Sequence, residues 1–190
     1  MFSLRQPSEA ALAEIVAEQS ARRLSYPQVG ATAAEVGHEA MPPGYAHDRW
    51  TCDLGAFDEE LFVRAATALG TWAVQRGAGI TVFPSSPVEP GLTFALALKL
   101  PVGYIKAAGR VVYVTDEPGR YGFAYGTLPA HPEQGEEAFH LSRNGARLTF
   151  TVAAFSRPRH PLARLGAPVA RALQLRTTKA YQRAMQGVLQ

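Results

Sequence analysis

The chain has few of the features that mark secreted or membrane proteins. It has one cysteine, Cys52, so it can form no internal disulfide and nothing in it requires an oxidising compartment. No apolar run approaches the roughly 20 residues of a transmembrane helix. Charged side chains interrupt residues 1–18, where a secretory signal needs an apolar stretch. These absences predict a cytoplasmic protein without a transmembrane segment.

Motifs of several enzyme classes are also missing. There is no P-loop, no Gly-x-Gly-x-x-Gly and no Gly-x-Ser-x-Gly. The five histidines show no spacing typical of metal ligands, so we expect no metal and no cofactor. Cys52 is interpreted as a small buried apolar side chain and not as a nucleophile. The sequence therefore leaves open whether the protein is an enzyme, and it assigns no catalytic residue.

Charge is distributed unevenly along the chain. The part up to Glu137 carries 16 acidic and 10 basic residues, a net charge of −6, whereas the last 53 residues carry nine basic and no acidic residues. Such a segment can bind nucleic acid or an anionic surface. A basic, solvated face on an amphipathic helix is commonplace, however, and we favour that interpretation. We expect no nucleic-acid partner, and the sequence does not predict an oligomeric state.

The first half of the chain predicts two helices. Ser8 is a good N-cap, and apolar residues follow at helical spacing over residues 8–23. Residues 56–76 form the second predicted helix, with three acidic residues in the first turn, where they complement the helix dipole. Between them, residues 33–44 predict a loop and residues 45–54 a strand.

The second half predicts mainly strands, because large and small or apolar and polar residues alternate there. The predicted strands are residues 80–83, 91–100, 104–115, 120–128, 135–143 and 146–155. Asn144-Gly145 between the last two is a strong signal for a tight hairpin. The pattern predicts an antiparallel meander of at least five strands.

The chain ends in a predicted long amphipathic helix that begins at His160-Pro161. Its apolar stripe includes Leu173, Thr177 and Ala184, while basic residues gather on the other side. A meander and a helix that each have one apolar face are expected to pack together. We therefore predict an α+β fold in which a curved antiparallel sheet wraps the C-terminal helix, with an extra N-terminal helix. We expect a single domain, 1–190, in which residues 1–23 are an N-terminal helical extension.

The strand at residues 120–128 alternates strictly between large and small side chains. Tyr121, Phe123 and Tyr125 share one face, and Gly122, Ala124 and Gly126 share the other. Glycine inside a strand usually marks a close approach of another backbone or of a ligand. Two arrangements are open. The small face could receive the C-terminal helix, or the aromatic side chains could line a cavity beneath that helix.

Four segments of the sequence carry a resemblance to a known family. They are Leu24–Thr32, Arg110–Val114, Tyr121–Phe139 and Ala154–Pro158. In them the chain resembles the DUF1990 (UPF0548) family, which has no assigned biochemical role. The specific part is the aromatic-Gly-aromatic strand followed by Leu-Pro-x-His-Pro-Glu. The resemblance implies a DUF1990-like domain over residues 24–190. More loosely, the layout resembles the START/Bet v 1-like helix-grip fold, whose sheet wraps a long C-terminal helix and encloses an apolar cavity.

Eight residues are candidates for contact with a ligand in such a cavity. They are Trp50, Tyr121, Phe123, Tyr125, His131, Glu136, Glu137 and Arg157. His131 and the nearby glutamates could be an acid–base pair, but we favour a histidine that caps a proline-locked turn. Arg157 could receive an anionic headgroup or carboxylate, or it could bond loop carbonyls.

Glu136 and Glu137 occupy successive strand positions, so only one of them can enter a cavity. Either they are two solvated acids, or a buried one pairs with an arginine such as Arg110, Arg120 or Arg157.

We expect a protein that binds an apolar or amphipathic small molecule in a cavity between the sheet and the C-terminal helix. One alternative is an enzyme that acts on such a ligand with a His/Glu acid–base pair. The other is a protein that binds an anionic surface through its basic C-terminal helix. A titratable group of strongly perturbed pKa in the cavity would favour catalysis.

Overall fold

The computed structural model describes residues 1–33, 41–159 and 167–189. Within them the helices are α1 (Glu9–Gln19), α2 (Glu59–Gly70), α3 (Ala73–Gly77) and α4 (Ala167–Val188). The strands are β1 (Phe2–Ser3), β2 (Ala46–Ala56), β3 (Ile80–Phe83), β4 (Thr93–Lys99), β5 (Tyr104–Glu117), β6 (Arg120–Thr127), β7 (Glu133–Asn144) and β8 (Arg147–Pro158). The predicted helix start at His160-Pro161, and most of the predicted loop at 33–44, fall outside the described residues.

The strands form one antiparallel sheet in the order β2-β8-β7-β6-β5-β4-β3, with β1 paired to the start of β5. The run from β4 to β8 is the meander that the sequence predicts. Its last hairpin turns at Asn144-Gly145, where Gly145 has a φ of 59°, as a tight hairpin turn requires. The predicted α+β fold, with a curved antiparallel sheet and a C-terminal helix, is confirmed.

No helix in the described part of the chain is both long enough and apolar enough to cross a membrane.

One face of the sheet, which we call the inner face, carries Phe94, Phe123 and Phe139 and is covered by α2, α3 and α4. Phe123 stacks on Phe139 with ring centroids 5.3 Å apart. Trp72 contacts both Phe94 and Phe123, at 4.8 and 5.2 Å. These rings are fully or almost fully buried. Each contributes about 1.5–3 kcal/mol through burial, so this aromatic core anchors the helices to the sheet.

The single helix predicted for residues 56–76 is wrong, because the structure breaks it into α2 and α3. Asp58 caps α2 by accepting a hydrogen bond from the Leu61 amide at 2.9 Å. At the break, Trp72 adopts a left-handed backbone conformation with a φ of 62°. Its ring is fully buried, and its indole N–H donates to the Ser86 carbonyl at 2.9 Å. Packing of this one side chain overrides the helical propensity of the segment.

The opposite, outer face carries Ala95 and Ala97 of β4 and Ala108 of β5, and it is covered by α1. Ser8 caps α1 as predicted, although the helix ends at Gln19 and not near residue 23. Leu12 and Ile15 pack on small side chains of the sheet. Arg110 donates to the carbonyls of Gln19 and Ser20 at 3.3 and 2.7 Å, which satisfies acceptors at the end of the helix.

Residues 24–33 continue along the outer face beside β6 and β7. The Ser25 amide donates to the Thr127 carbonyl at 2.9 Å. Val111 and Tyr113 are two residues apart and would share a face in a regular strand. A bulge between them lets them point to opposite faces. Val111 is buried in the inner core, while the Tyr113 hydroxyl bonds Thr32 at 3.0 Å on the outer face. The central strand β6 is therefore buried on both faces.

Candidate functional site

A cavity of about 630 Å³ lies between the inner face of the sheet and α4. Most of the side chains that line it are apolar. They include Trp50, Leu96, Leu98, Ile105, Val152 and Leu173. Both the volume and the apolar lining are typical of small-molecule sites in proteins.

The packing of α4 explains where this cavity forms. The second half of the helix lies close to the other helices, since a side chain at Gly77 would lie 2.8 Å from Cβ of Ala184. Met185 is also fully buried in the aromatic core. Nearer the start of the helix, Leu173 and Thr177 face the cavity instead. One part of the inner face is therefore filled by the aromatic core, and another part borders the cavity.

The main polar group of the cavity is Glu137, which lies opposite Tyr125 on the neighbouring strand. The Tyr125 hydroxyl donates a hydrogen bond to its carboxylate. Burial raises the pKa of Glu137 to about 7, and the negative charges of Glu133 and Asp48 add to this rise, while the Tyr125 hydrogen bond opposes it. The carboxyl therefore exchanges its proton near neutral pH.

Two tyrosines accompany this carboxyl. Burial raises the pKa of Tyr125 and of Tyr181 on α4, and the nearby Glu137 raises both further. A hydrogen bond with Tyr125 partly offsets the rise at Tyr181. Both hydroxyls remain protonated at neutral pH, so they serve as hydrogen-bond donors beside a carboxyl of changing charge.

His131 borders the same cavity but is engaged in its own turn. Its Nδ1 accepts a hydrogen bond from the Glu133 amide at 3.1 Å. Burial lowers the pKa of His131 to about 4, so the ring is neutral at neutral pH. This geometry fits the turn-capping interpretation favoured from the sequence. No group of three or more metal-ligating side chains occurs within the described ranges.

The carboxylate of Glu136 points away from the cavity to the outer face, where it is buried. It accepts hydrogen bonds from the Tyr26 hydroxyl at 2.5 Å, the Gly30 amide at 2.8 Å and the Thr32 amide at 3.0 Å. The Thr32 hydroxyl donates as well. Glu136 is among the residues that line the cavity, but its carboxylate is bonded on the opposite face of the sheet. It is neither paired with an arginine nor solvated, because uncharged donors of residues 26–32 surround it.

The sequence model described as "Domain of unknown function (DUF1990)" matches residues 25–184. The chain belongs to the DUF1990 family. A UPF0548 protein of Deinococcus radiodurans is 32% identical over 201 residues that cover 97% of each chain. A UPF0548 protein of Dictyostelium discoideum is 28% identical over 193 residues, which cover 92% of this chain and 89% of that protein. The resemblance inferred from the sequence is confirmed.

Solved structures share the architecture of this DUF1990 chain. Human STARD10 aligns with a TM-score of 0.53 at 13% identity, over 98% of this chain and 81% of that chain. A START superfamily protein from Mycobacterium smegmatis aligns with a TM-score of 0.53 at 12% identity, over 77% of this chain and 97% of that chain. At such identities the likeness shows the fold alone, and the fold is START/Bet v 1-like, as the sequence predicts.

Five of the eight candidate residues line the cavity: Trp50, Tyr125, His131, Glu136 and Glu137, although the carboxylate of Glu136 points away from it. The structure places the other three candidates elsewhere. Phe123 is fully buried in the aromatic core, and the Tyr121 hydroxyl lies against Gly70 of α2. Both share a strand face with Tyr125, but they lie nearer the start of β6, where the helices and not the cavity cover the strand.

Arg157 also lies outside the cavity lining. Its guanidinium stacks over the ring of Tyr45 at 4.4 Å and donates to the Gln134 side chain at 3.1 Å, on the outer side of β8. The adjacent Ser156 is the residue that borders the cavity. Of the two alternatives for Arg157, this placement fits the structural one, because residue parity at the end of β8 directs the side chain outward.

The sequence reasoning missed Tyr181 and Asp48. Tyr181 follows Thr177 by four residues, so the helical period already placed it on the predicted inner stripe of α4 in this DUF1990 fold. Asp48 precedes Trp50 by two residues on β2 and shares its face. In both cases the periodicity was a usable signal.

Proposed function

We propose that the protein binds an apolar or amphipathic small molecule in the cavity between the inner face of the sheet and α4. The observation that carries this proposal is the cavity itself, with a volume of about 630 Å³. Protein interiors are normally packed as densely as organic crystals, with few voids larger than a water molecule. A volume of this size beside a filled aromatic core is best explained as a binding site.

The polar groups support the same proposal. Glu137, Tyr125 and Tyr181 meet at one part of the wall, while most other lining side chains are apolar. A site of this kind binds the body of a ligand through apolar burial and orients it through a few directed hydrogen bonds.

A cavity-filling substitution tests the proposal. Ala154 borders the cavity on β8, so Ala154→Phe places a ring in the ligand volume. Thr51→Phe is the matched control, because Thr51 is exposed on the outer side of β2. We expect wild-type protein and Thr51→Phe to bind the apolar fluorophore N-phenyl-1-naphthylamine, and Ala154→Phe to lose that binding while remaining folded.

Native mass spectrometry of the purified wild-type protein provides a second measurement. We expect a co-purified small molecule that is absent from Ala154→Phe. If the wild-type protein neither carries a ligand nor binds the fluorophore, the proposal is contradicted.

A second candidate is an enzyme that transfers a proton on the same ligand. The specific observation in its favour is Glu137, whose pKa of about 7 suits a general acid or base. His131 is not suited to be its partner, because its Nδ1 is engaged by the Glu133 amide. Glu137→Gln would abolish turnover but retain binding if this candidate is correct.

A further inference from the structure

Large apolar side chains are exposed at one end of the sheet, where β4 turns into β5. Val102 in this turn is 68% exposed, and Pro101 beside it is exposed as well. Phe2 of β1 is 58% exposed and Leu4 is 74% exposed. We call these four residues the apolar tip. Apolar side chains scattered singly over a surface are ordinary, whereas a contiguous group marks a surface that binds a partner.

The backbone places β1 beside the turn. Phe2 pairs with Ile105 at the start of β5, and Leu4 follows two residues later. The Leu100 amide donates to the Gly103 carbonyl at 2.9 Å, which closes the turn. A Cβ atom on Gly103 would lie 2.7 Å from Cζ of Phe2, so the Phe2 ring packs on the turn. The exposed side chains of β1 and of the turn therefore share one surface.

The apolar tip adjoins the cavity. The hairpin that carries it also supplies apolar side chains to the cavity wall, namely Leu98, Leu100 and Ile105. Residues directly opposite each other in an antiparallel pair point to the same face, so Phe2 lies on the same face as Ile105. Apolar surface thus continues from the cavity wall to the exposed turn.

The chain around the apolar tip is basic. Residues 1–8 and 90–115 include no acidic residue and four basic ones, which are Arg5, Lys99, Lys106 and Arg110. Arg110 is engaged at the end of α1, but Arg5 and Lys99 are exposed and close to the tip in sequence. The acids Asp48 and Glu133 are part of the cavity lining. Charge around the tip therefore complements an anionic surface.

We propose that the apolar tip docks on the surface of an anionic phospholipid membrane. Phe2, Leu4 and Val102 enter the boundary between headgroups and acyl chains, while Arg5 and Lys99 contact lipid phosphates. Peripheral binding of this kind is driven by the apolar area that is buried and by the attraction of basic side chains to anionic headgroups. Docking places the cavity wall next to the membrane, but the surface does not depend on the proposed function, since no cavity ligand takes part in the contact.

A lipid surface fits the apolar tip better than a protein partner does. A stable protein interface takes roughly 20–30 residues on each side. The exposed apolar side chains here belong to a tight turn, a two-residue strand and the residue after it. Such a turn can enter a fluid bilayer without a complementary groove.

Flotation with vesicles tests the proposal. Vesicles of phosphatidylcholine with about one third phosphatidylglycerol present an anionic surface, and vesicles of phosphatidylcholine alone are the neutral comparison. The salt concentration is about 0.1 M, at which electrostatic attraction still acts over roughly 10 Å. We expect the wild-type protein to float with the anionic vesicles and to bind the neutral ones at least about tenfold more weakly.

Val102→Asp should weaken binding to the anionic vesicles by about tenfold or more, because it places a negative charge in the turn. Val63→Asp is the matched control, since Val63 is 52% exposed but lies on α2. The control should change binding by less than about twofold. Urea denaturation of both variants checks that they remain folded, as expected for exposed positions.

A second pair of variants tests the basic residues. Lys99→Glu should weaken binding by about tenfold or more, since each basic residue near an anionic surface adds to the attraction. Lys179→Glu is the control, because Lys179 is exposed on α4 and its exchange alters the net charge equally. We expect it to change binding by less than about twofold. The comparison also separates the apolar tip from the basic face of α4.

The depth of the turn gives a readout that a purely electrostatic contact would not produce. Val102→Trp places an indole in the apolar tip, and Val63→Trp places one on α2, while Trp50 and Trp72 are common to both variants. Vesicles whose acyl chains carry bromine quench a tryptophan that reaches them. We expect the added fluorescence of Val102→Trp to be quenched and that of Val63→Trp to be unaffected.

A wild-type protein that does not float with anionic vesicles would overturn the proposal. Binding that is weakened by Lys179→Glu but not by Val102→Asp or Lys99→Glu would overturn it too, and would assign the surface to α4. The fluorophore measurement is independent of both. Loss of fluorophore binding with intact vesicle binding would contradict the proposed function alone, and the reverse result would contradict this inference alone.

Discussion

The hydroxyl of Tyr26 donates a 2.5 Å hydrogen bond to the buried carboxylate of Glu136, 110 residues further along the chain. The Thr32 hydroxyl extends the network to Tyr113 at 3.0 Å, and Tyr113 bonds His140 at 3.1 Å. Burial and the Glu136 carboxylate raise the pKa of Tyr26, so it remains a donor. This network fastens the segment that follows α1 to the outer face of β5 and β7.

Tyr26→Phe should lower the free energy of unfolding by about 1.5–3 kcal/mol, because it removes a hydrogen bond to a buried charged acceptor. Urea denaturation measures the change. Tyr45→Phe is the control, since the Tyr45 hydroxyl donates to the uncharged Gln28 side chain at 3.2 Å. We expect the control to lose less than about 1 kcal/mol. Equal losses would show that Glu136 does not depend on Tyr26.

Gly126→Val and Gly122→Val should both destabilise the protein by about 1–3 kcal/mol, although valine suits strands better than glycine. A Cβ atom at Gly126 would lie 2.7 Å from Cε1 of Tyr26, and one at Gly122 would lie 2.5 Å from Nδ1 of His140. Gly187→Ala is the control, because a side chain there meets nothing within 4 Å. Raised denaturation midpoints for the two strand variants would mean that the outer face of β6 is open.

Glu137 should make wild-type stability fall as the pH rises from its ordinary pKa of 4.5 to its folded pKa of about 7. The folded state holds this proton more tightly than the unfolded chain does. The contribution of Glu137 to the free energy of unfolding is therefore complete below pH 4.5 and is lost as the pH rises through 7. Glu137→Gln removes the decline. Relative to wild type, the variant should therefore gain about 1–3 kcal/mol between pH 5 and pH 8, measured by urea denaturation.

His131 and His140 provide the internal check on that measurement. Burial lowers the pKa of each to about 4, so their contribution is present above their ordinary pKa of 6.5 and is lost as the pH falls through 4. This opposite trend is common to wild type and Glu137→Gln and cancels in the difference. A difference that does not change with pH would contradict the raised pKa of Glu137.

The basic face of α4 should not bind nucleic acid. Arg176, Lys179 and Arg183 are exposed, but Tyr181 between them is buried, so it offers no ring for base stacking. Filter binding at about 50 mM salt should show no sub-micromolar affinity for single- or double-stranded DNA. A sub-micromolar complex that weakens steeply with added salt would reverse this expectation.

The strands were predictable because their signals are local. Alternation and turn residues such as Asn144-Gly145 act between neighbours in sequence, and they predicted the meander from β4 to β8 with ends within a few residues. The break at Trp72 was not predictable, since its cause is contact with Phe94 and Phe123, which are distant in sequence. The outer-face position of residues 24–33 was missed for the same reason: an irregular segment has no period to follow.

The chemistry of the candidate site could be predicted from the sequence, but the extent of the cavity along the strands could not. Strand parity correctly separated Glu136 from Glu137 and placed Tyr125 on the inner face. Parity cannot say how far along a strand a cavity extends. Tyr121, Phe123 and Tyr125 share one face, yet only Tyr125 of the three borders the cavity, because α2 and Trp72 cover the others.

Glu136 and Glu137 are adjacent in the chain, yet the sheet separates their carboxylates into two unrelated environments. One joins the outer network through Tyr26 and Thr32, and the other borders the cavity beside Tyr125. Substitutions at the two positions should therefore have different effects in a deep mutational scan. Changes at Glu136 should deplete folded protein in cells, whereas changes at Glu137 should leave abundance nearly intact and alter only the trait that depends on the cavity.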